Sequence, residues 1–214
     1  MAEIANCAVQ AESRLFYHIC KRIMDVVCSA AALAVLSPIF LAVAVAIKLE
    51  DKGPVIFTQN RTGKDGRVFR MYKFRSMYVD AEKRRSELLA RNEADGPLFK
   101  IADDPRVTKV GRFIRRTSID ELPQLVNILK GEMSIVGPRP LVTYEQNQCT
   151  EYQAQRLLVK PGLTCIWQVS GRSDTSFDEL IEMDLEYIRN QSLWLDIKLI
   201  LKTVVVVFTH KGAY

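Results

Sequence analysis

The chain has 214 residues, 48% of them hydrophobic and 26% charged, with a formal net charge of +5. Such a length and apolar content bury one substantial core with material left for an attached membrane element, which excludes a disordered or fibrous chain. The basic balance is modest and fits nucleic acid, anionic lipid or phosphorylated substrates equally, while five cysteines without a Cys-x-x-Cys pair and only two histidines argue against a disulfide framework, a zinc site and histidine-based acid/base chemistry.

Residues 1–13 show no clear period and read as a loose leader or short surface segment. Residues 14–22 place Leu15, Phe16, His18 and Ile19 among Arg14, Lys21 and Arg22, a short amphipathic helix for a membrane surface. Residues 23–47 are rich in alanine and valine, interrupted only by Asp25, Ser29, Ser37 and Pro38, and are long enough to span a bilayer at about 1.5 Å per residue. Lys21 and Arg22 at one end and Lys48 and Lys52 at the other make both flanks basic, so the positive-inside rule gives no orientation. Near the middle, Pro38 removes a helix hydrogen bond and the Ser37 hydroxyl can occupy the freed carbonyl. A kinked full span and a hairpin that enters and leaves on one face both fit that break.

Beyond the polar turn at 50–53, residues 55–58 and 68–72 read as two short strands joined through Lys64-Asp65-Gly66 into a hairpin. Lys73 and Arg75 follow, and strand alternation puts them on one face as a cationic wall for a diphosphate or as a solvated edge. Residues 79–92 predict a surface helix, residues 96–105 a flexible connection.

The densest motif runs from Ile114-Arg115-Arg116-Thr117-Ser118-Ile119-Asp120-Glu121-Leu122-Pro123 to Lys130-Gly131. Ser118 and Glu121 have capping-box spacing, and Leu122, Leu125, Val126 and Leu129 recur at helical intervals, which predicts a helix starting at Ser118 and stopping at Gly131. Asp120 and Glu121 then lie in a first turn that favours carboxylates and bound phosphates, either as a helix cap or as catalytic groups. A Gly137-Pro138-Arg139-Pro140 loop of little freedom follows and holds Arg139, a bidentate phosphate ligand, near them.

Residues 141–155, with Glu145 and Glu151, read as surface; residues 159–164 make a Pro-Gly turn, residues 166–169 a short strand, and Gly171-Arg172 a loop open to an anion. Residues 177–187 predict an amphipathic helix whose acids face solvent. Residues 192–210, with Trp194 and few polar breaks, suit either an interfacial helix with tryptophan at headgroup depth or a buried core helix.

Three segments carry a resemblance: Tyr72-Lys73-Phe74-Arg75-Ser76-Met77, the stretch from Ser118 to Arg139, and Lys160-Pro161-Gly162-Leu163-Thr164 leading to Trp167-Gln168-Val169-Ser170-Gly171-Arg172. Over residues 14–214 the chain resembles the bacterial sugar transferases, or monotopic phosphoglycosyl transferases. The resemblance implies an α+β, mainly helical protein, with a re-entrant membrane helix-break-helix at residues 14–48, broken at Ser37-Pro38, and a compact cytosolic catalytic domain at 49–214 lying on the bacterial inner membrane with interfacial amphipathic helices. It implies transfer of hexose-1-phosphate from a UDP-sugar to polyprenyl (undecaprenyl) phosphate with release of UMP. Asp120 is then the nucleophile, Asp120 and Glu121 the catalytic pair and Mg2+ ligands, and Lys73, Arg75, Arg115, Lys130, Arg139, Gln168 and Arg172 the substrate-binding residues. The ending resembles the exopolysaccharide and O-antigen branch, which implies UDP-galactose or UDP-glucose. Related long members carry further spans and a domain ahead of this core, which are not expected here; homo-oligomerisation stays open. The competing class is a non-catalytic membrane-tethered scaffold or basic adaptor, though no nucleic-acid motif is present.

Overall fold

The computed structural model describes residues 2–93, 95–99, 101, 103–170 and 175–209. Its first element is a single helix, α1 (Ala2–Glu50). The expected leader and short amphipathic helix thus run without interruption into the expected membrane segment, which holds Pro38 inside it, because nothing else in this stretch opposes helical geometry. Pro38 leaves the carbonyl of Ala34 without its N–H, and the Ser37 hydroxyl donates to that carbonyl at 2.8 Å, which offsets part of the proline penalty.

One stripe of α1 is buried: Tyr17, Lys21, Asp25, Ser29, Val43 and Ile47, with Ala32, Leu33 and Phe40 packed between them. These positions recur at helical spacing, so the rest of the protein lies lengthwise along one side of α1. The opposite side leaves Leu15, Phe16, Ile19, Ile23, Val27, Val35, Leu41, Val45 and Leu49 exposed. A stretch from Arg14 to Glu50 is long and apolar enough to cross a membrane.

The expected hairpin is present as β1 (Ile56–Thr62) and β2 (Val68–Phe74), antiparallel from Ile56 opposite Phe74 to Thr62 opposite Val68. Residues 83–91 form a 3-10 helix. α2 (Lys109–Arg116) is capped by the Thr108 hydroxyl, and the Glu50 carboxylate at the end of α1 accepts from the Lys109 and Val110 amides. α3 (Gln124–Lys130) stops at Gly131, whose φ of 81° is the left-handed cap expected there. Phe69 and Met71 of β2, Leu125 and Ile128 of α3 and Met133 form the core that α1 covers.

β3 (Ser134–Val136) pairs in parallel with β4 (Gly162–Thr164). Between them come the short helices α4 (Thr143–Gln146) and α5 (Glu151–Ala154). A Cβ on Gly162 would lie 2.1 Å from the Gly137 nitrogen, so the close approach of these two backbones requires glycine. The strand expected at 166–169 is instead a helix, α6 (Ile166–Ser170). Helical spacing puts Ile166 and Val169 on one face, and both pack beside Val136 and Leu199; a strand would turn them apart.

α7 (Phe177–Arg189) and α8 (Leu193–Thr209) close the fold. Two residues expected to face solvent are buried: Asp184 pairs with Arg156, and Glu145 accepts from the Val142 amide. α8 combines both of its sequence readings. Asp196 and Leu199 are buried in the core, while Trp194, Leu201 and Val205 are exposed. Asp196 accepts from Tyr17, Lys21 and Tyr187, tying the two apolar helices together through a buried polar knot.

Candidate active site

The expected helix start at Ser118 is absent. Ser118 takes φ 56°, in the left-handed region, and leads into a 3-10 turn, Ile119–Glu121, with no side-chain cap. A serine in that region is strained, and the strain aims the next residues inward. Asp120 is 7% exposed. The Glu121 carboxylate turns away from the expected capping position, because two cations compete for it more strongly than a backbone amide does. Lys73 Nζ donates to its Oε1 at 2.8 Å and Arg139 Nη2 donates to the same oxygen at 3.0 Å.

Each cation is held by its own element. Lys73 stands near the end of β2, beside α3, whose Asn127 side chain accepts from the Tyr72 amide and donates to the Arg70 carbonyl. Arg139 sits in the loop that follows β3. The carbonyl of Arg139 accepts from Arg156 Nη2 at 2.6 Å, and Arg156 is itself locked by its buried ion pair with Asp184. The Arg139 guanidinium lies 5.9 Å from the centre of the Trp167 ring.

Burial dominates the electrostatics. It pushes the Asp120 carboxyl up to about 6, a rise that the Lys73 charge opposes and the neighbouring Glu121 reinforces. Burial would also raise Glu121, but Lys73 and Arg139 overcome it and hold that carboxyl far below the usual range. Burial lowers Lys73 against the pull of Glu121. The two adjacent acids are therefore driven in opposite directions. Among the described residues Asp120 makes no side-chain hydrogen bond or ion pair, so its oxygens stay available to an incoming electrophile or cation.

The other expected site residues divide. Arg115 is half-buried, and its charge acts on Asp120. Gln168 is buried and accepts from the Cys165 thiol, next to Trp167 at the edge of the site. Arg75 does not join them: it donates to the Asp51 carbonyl at 2.6 Å and clamps the connection between α1 and β1. β2 ends at Phe74, so the alternation that put Lys73 and Arg75 on one wall does not continue. Lys130 is exposed, with its ammonium on the Tyr72 hydroxyl at 2.7 Å. Arg172 lies outside the described residues.

Sequence reasoning missed Arg61. Its guanidinium donates to the Pro140 carbonyl at 2.9 Å and to Gln59 Oε1 at 2.7 Å, bracing the Arg139 loop from β1. Burial and then the Arg139 charge bring it down to about 10. The one available signal was strand alternation, which puts Gln59 and Arg61 on the same face.

For metal binding, no three or more His, Cys, Asp or Glu side chains among the described residues are grouped so that they could hold an ion by themselves. The donors on offer are the Asp120 carboxylate and the second oxygen of Glu121, a set that suits magnesium completed by water and substrate phosphates better than a closed protein cage.

The profile of the family described as bacterial sugar transferase matches residues 16–210. The chain belongs to the bacterial sugar transferase family. Among its relatives is the galactosyl transferase CpsE of Streptococcus agalactiae serotype III (strain NEM316), 48% identical over 196 residues, 91% of this chain and 43% of the relative. The undecaprenyl-phosphate galactose phosphotransferase of Salmonella typhimurium is 44% identical over 201 residues, 91% of this chain and 41% of the relative. The exopolysaccharide production protein ExoY of Sinorhizobium fredii is 40% identical over 200 residues, 92% of this chain and 88% of the relative. This bacterial sugar transferase thus spans less than half the length of the first two relatives and nearly the length of the third.

Proposed function

We propose that the protein transfers hexose-1-phosphate from a UDP-sugar to undecaprenyl phosphate, releasing UMP, in the initiating step of bacterial polysaccharide assembly. The observation that carries this reading is the buried, unpaired Asp120 beside the Lys73–Glu121–Arg139 cluster. In the first half-reaction an Asp120 oxygen attacks the phosphorus bearing the sugar. The bond from that phosphorus to the bridging oxygen breaks, and UMP departs with the electron pair. In the second, an oxygen of the lipid phosphate attacks the same phosphorus, and the Asp120 carboxylate leaves, giving a polyprenyl diphosphate-sugar. Arg139 and Lys73 offset the negative charge that makes a carboxylate a poor nucleophile toward phosphate. Glu121, kept ionised, holds both cations in place. Donor and acceptor are both phosphates, so one cationic site serves both steps in turn.

Magnesium fits this donor set: Asp120 and Glu121 would hold it, and when bound it supplies charge neutralisation at the diphosphate. The names of the relatives favour galactose or glucose as the sugar.

The membrane reading is that residues 14–48 form a re-entrant element and residues 49–214 work on the cytosolic face of the inner membrane. Its support is the buried stripe from Tyr17 to Ile47, which keeps the polar part of the protein against α1 along its length. A helix crossing the bilayer would carry Lys21, Asp25 and their partners into about 30 Å of hydrocarbon.

The test is incubation with UDP-galactose or UDP-glucose labelled in the sugar, without lipid acceptor, followed by peptide mass spectrometry. A hexose-phosphate adduct on the Asp120 peptide, absent in Asp120→Asn, is expected; a fully active Asp120→Asn protein would sink the mechanism. Magnesium titrated into Asp120→Asn and the parent protein, read by melting temperature, checks the metal independently of turnover: stabilisation should be lost with the carboxylate.

A further inference from the structure

Away from the carboxylate pair, a cavity of about 820 Å³ opens where the Arg14–Asp25 part of α1, the start of α8, the hairpin turn and Lys160 meet. Its lining holds Arg14, Lys21, Arg22, Lys64, Lys160 and Arg189 against a single acid, Asp25. None of Lys73, Asp120, Glu121 or Arg139 lines it.

Part of this charge is already spent. Lys21 is paired with Asp196 at 2.8 Å, Arg22 donates to the Ile128 and Leu129 carbonyls at the end of α3, and Asp25 accepts from Ser134 and the Ile135 amide. Arg14, Lys64 and Lys160 make no side-chain hydrogen bond or ion pair among the described residues. Three unspent cations converging on a half-enclosed space repel one another unless an anion joins them. Burial and then the Arg22 charge hold the Lys160 ammonium below its ordinary value, so an anion here is bound at a site already made too positive.

The rim identifies the rest of the ligand. Phe16 on α1 and Leu158, both in the lining, are more than half exposed, and Phe16 continues into the exposed apolar face of α1. A free phosphate has no use for that apolar border. A phosphate carrying acyl chains does.

We propose that this cavity binds the headgroup phosphate of an anionic phospholipid, through Arg14, Lys64 and Lys160, with its chains leaving over Phe16 and Leu158. The site is separate from catalysis and seats the protein in its membrane at a fixed depth. Native mass spectrometry of the full chain in neutral detergent, titrated with phosphatidylglycerol or phosphatidylcholine, tests it. The parent protein should retain phosphatidylglycerol in preference to phosphatidylcholine, and Lys64→Gln/Lys160→Gln should weaken that retention about tenfold or more, with unchanged UMP release in detergent. Should the double variant fail to fold, Lys64→Gln alone, on an exposed turn, carries the same expectation at about fivefold. Equal retention by parent and variant would overturn the proposal. So would displacement of the lipid by millimolar inorganic phosphate at matched ionic strength, which would make this a free-phosphate site.

Discussion

Asp120 and Glu121 are neighbours in the chain, yet the fold drives their carboxyls apart by surrounding one with low-dielectric protein and the other with two cations. For Asp120 the folded value lies above the unfolded one, so its contribution to stability is full below about 4 and is lost as pH rises through about 6. Asp120→Asn removes the penalty of a buried charge. Its melting temperature should match the parent near pH 4 and exceed it at pH 8, by an amount corresponding to at most about 3 kcal/mol, while turnover collapses. A cap residue would give the opposite pattern, slight destabilisation and retained activity. On the proposed mechanism, the kcat/KM of the parent should fall on an acid limb near pH 6, as Asp120 protonates. The meeting of the Asp120–Glu121 pair with Lys73 and Arg139 was legible in the sequence because each sits in a compact motif. The capping box was misread for a physical reason: Ser118 and Glu121 satisfy the local rule, but Lys73 and Arg139, brought from other elements, outbid a backbone amide for that carboxylate. Arg61 and the Arg156–Asp184 pair were illegible because their partners are set by the tertiary fold, and no local period marks a buried ion pair.

Among the elements, the parallel pairing of β3 with β4 governs where Arg139 stands. Gly162→Ala would place a Cβ 2.1 Å from the Gly137 nitrogen, and backbone on both sides leaves it nowhere to go. Its expected cost is about 1–3 kcal/mol or more, with loss of activity out of proportion to the change in melting temperature, since the loop holding Arg139 starts at Gly137. A thermal melt beside a UMP-release assay checks both. Leu163→Ala is the contrast: it trims a partly buried side chain on the first core cluster without touching the close backbone contact, so stability should fall with less effect on turnover. The β1–β2 hairpin could be read directly, because two alternating runs flank a turn with Asp65 and Gly66 at positive φ. α6 could not. Its Ile166 and Val169 favour a strand by composition, and only packing beside Val136 and Leu199 turns them into one face of a helix.

At the scale of the whole molecule, the decisive relation is between a helix long enough to cross a bilayer and a polar body packed along its side. The Glu50 carboxylate caps α2 at the end of α1, and Lys21 and Asp25, close to the middle of that helix, are bonded into the same body, so the segment between them cannot cross a membrane without tearing buried polar contacts. The exposed side, from Leu15 to Leu49, can still enter one leaflet. Leu15 and Tyr152 are 62% and 46% exposed, one on α1 and one on α5, so cysteines placed there report the sidedness of each. With a membrane-impermeant maleimide, Leu15→Cys and Tyr152→Cys should both stay unlabelled in intact cells and both react after lysis, the parent protein serving as the background for its own cysteines. Labelling of Leu15→Cys from outside while Tyr152→Cys stays protected would mean that α1 crosses the bilayer, and the packing along its buried stripe would then have to break in the membrane.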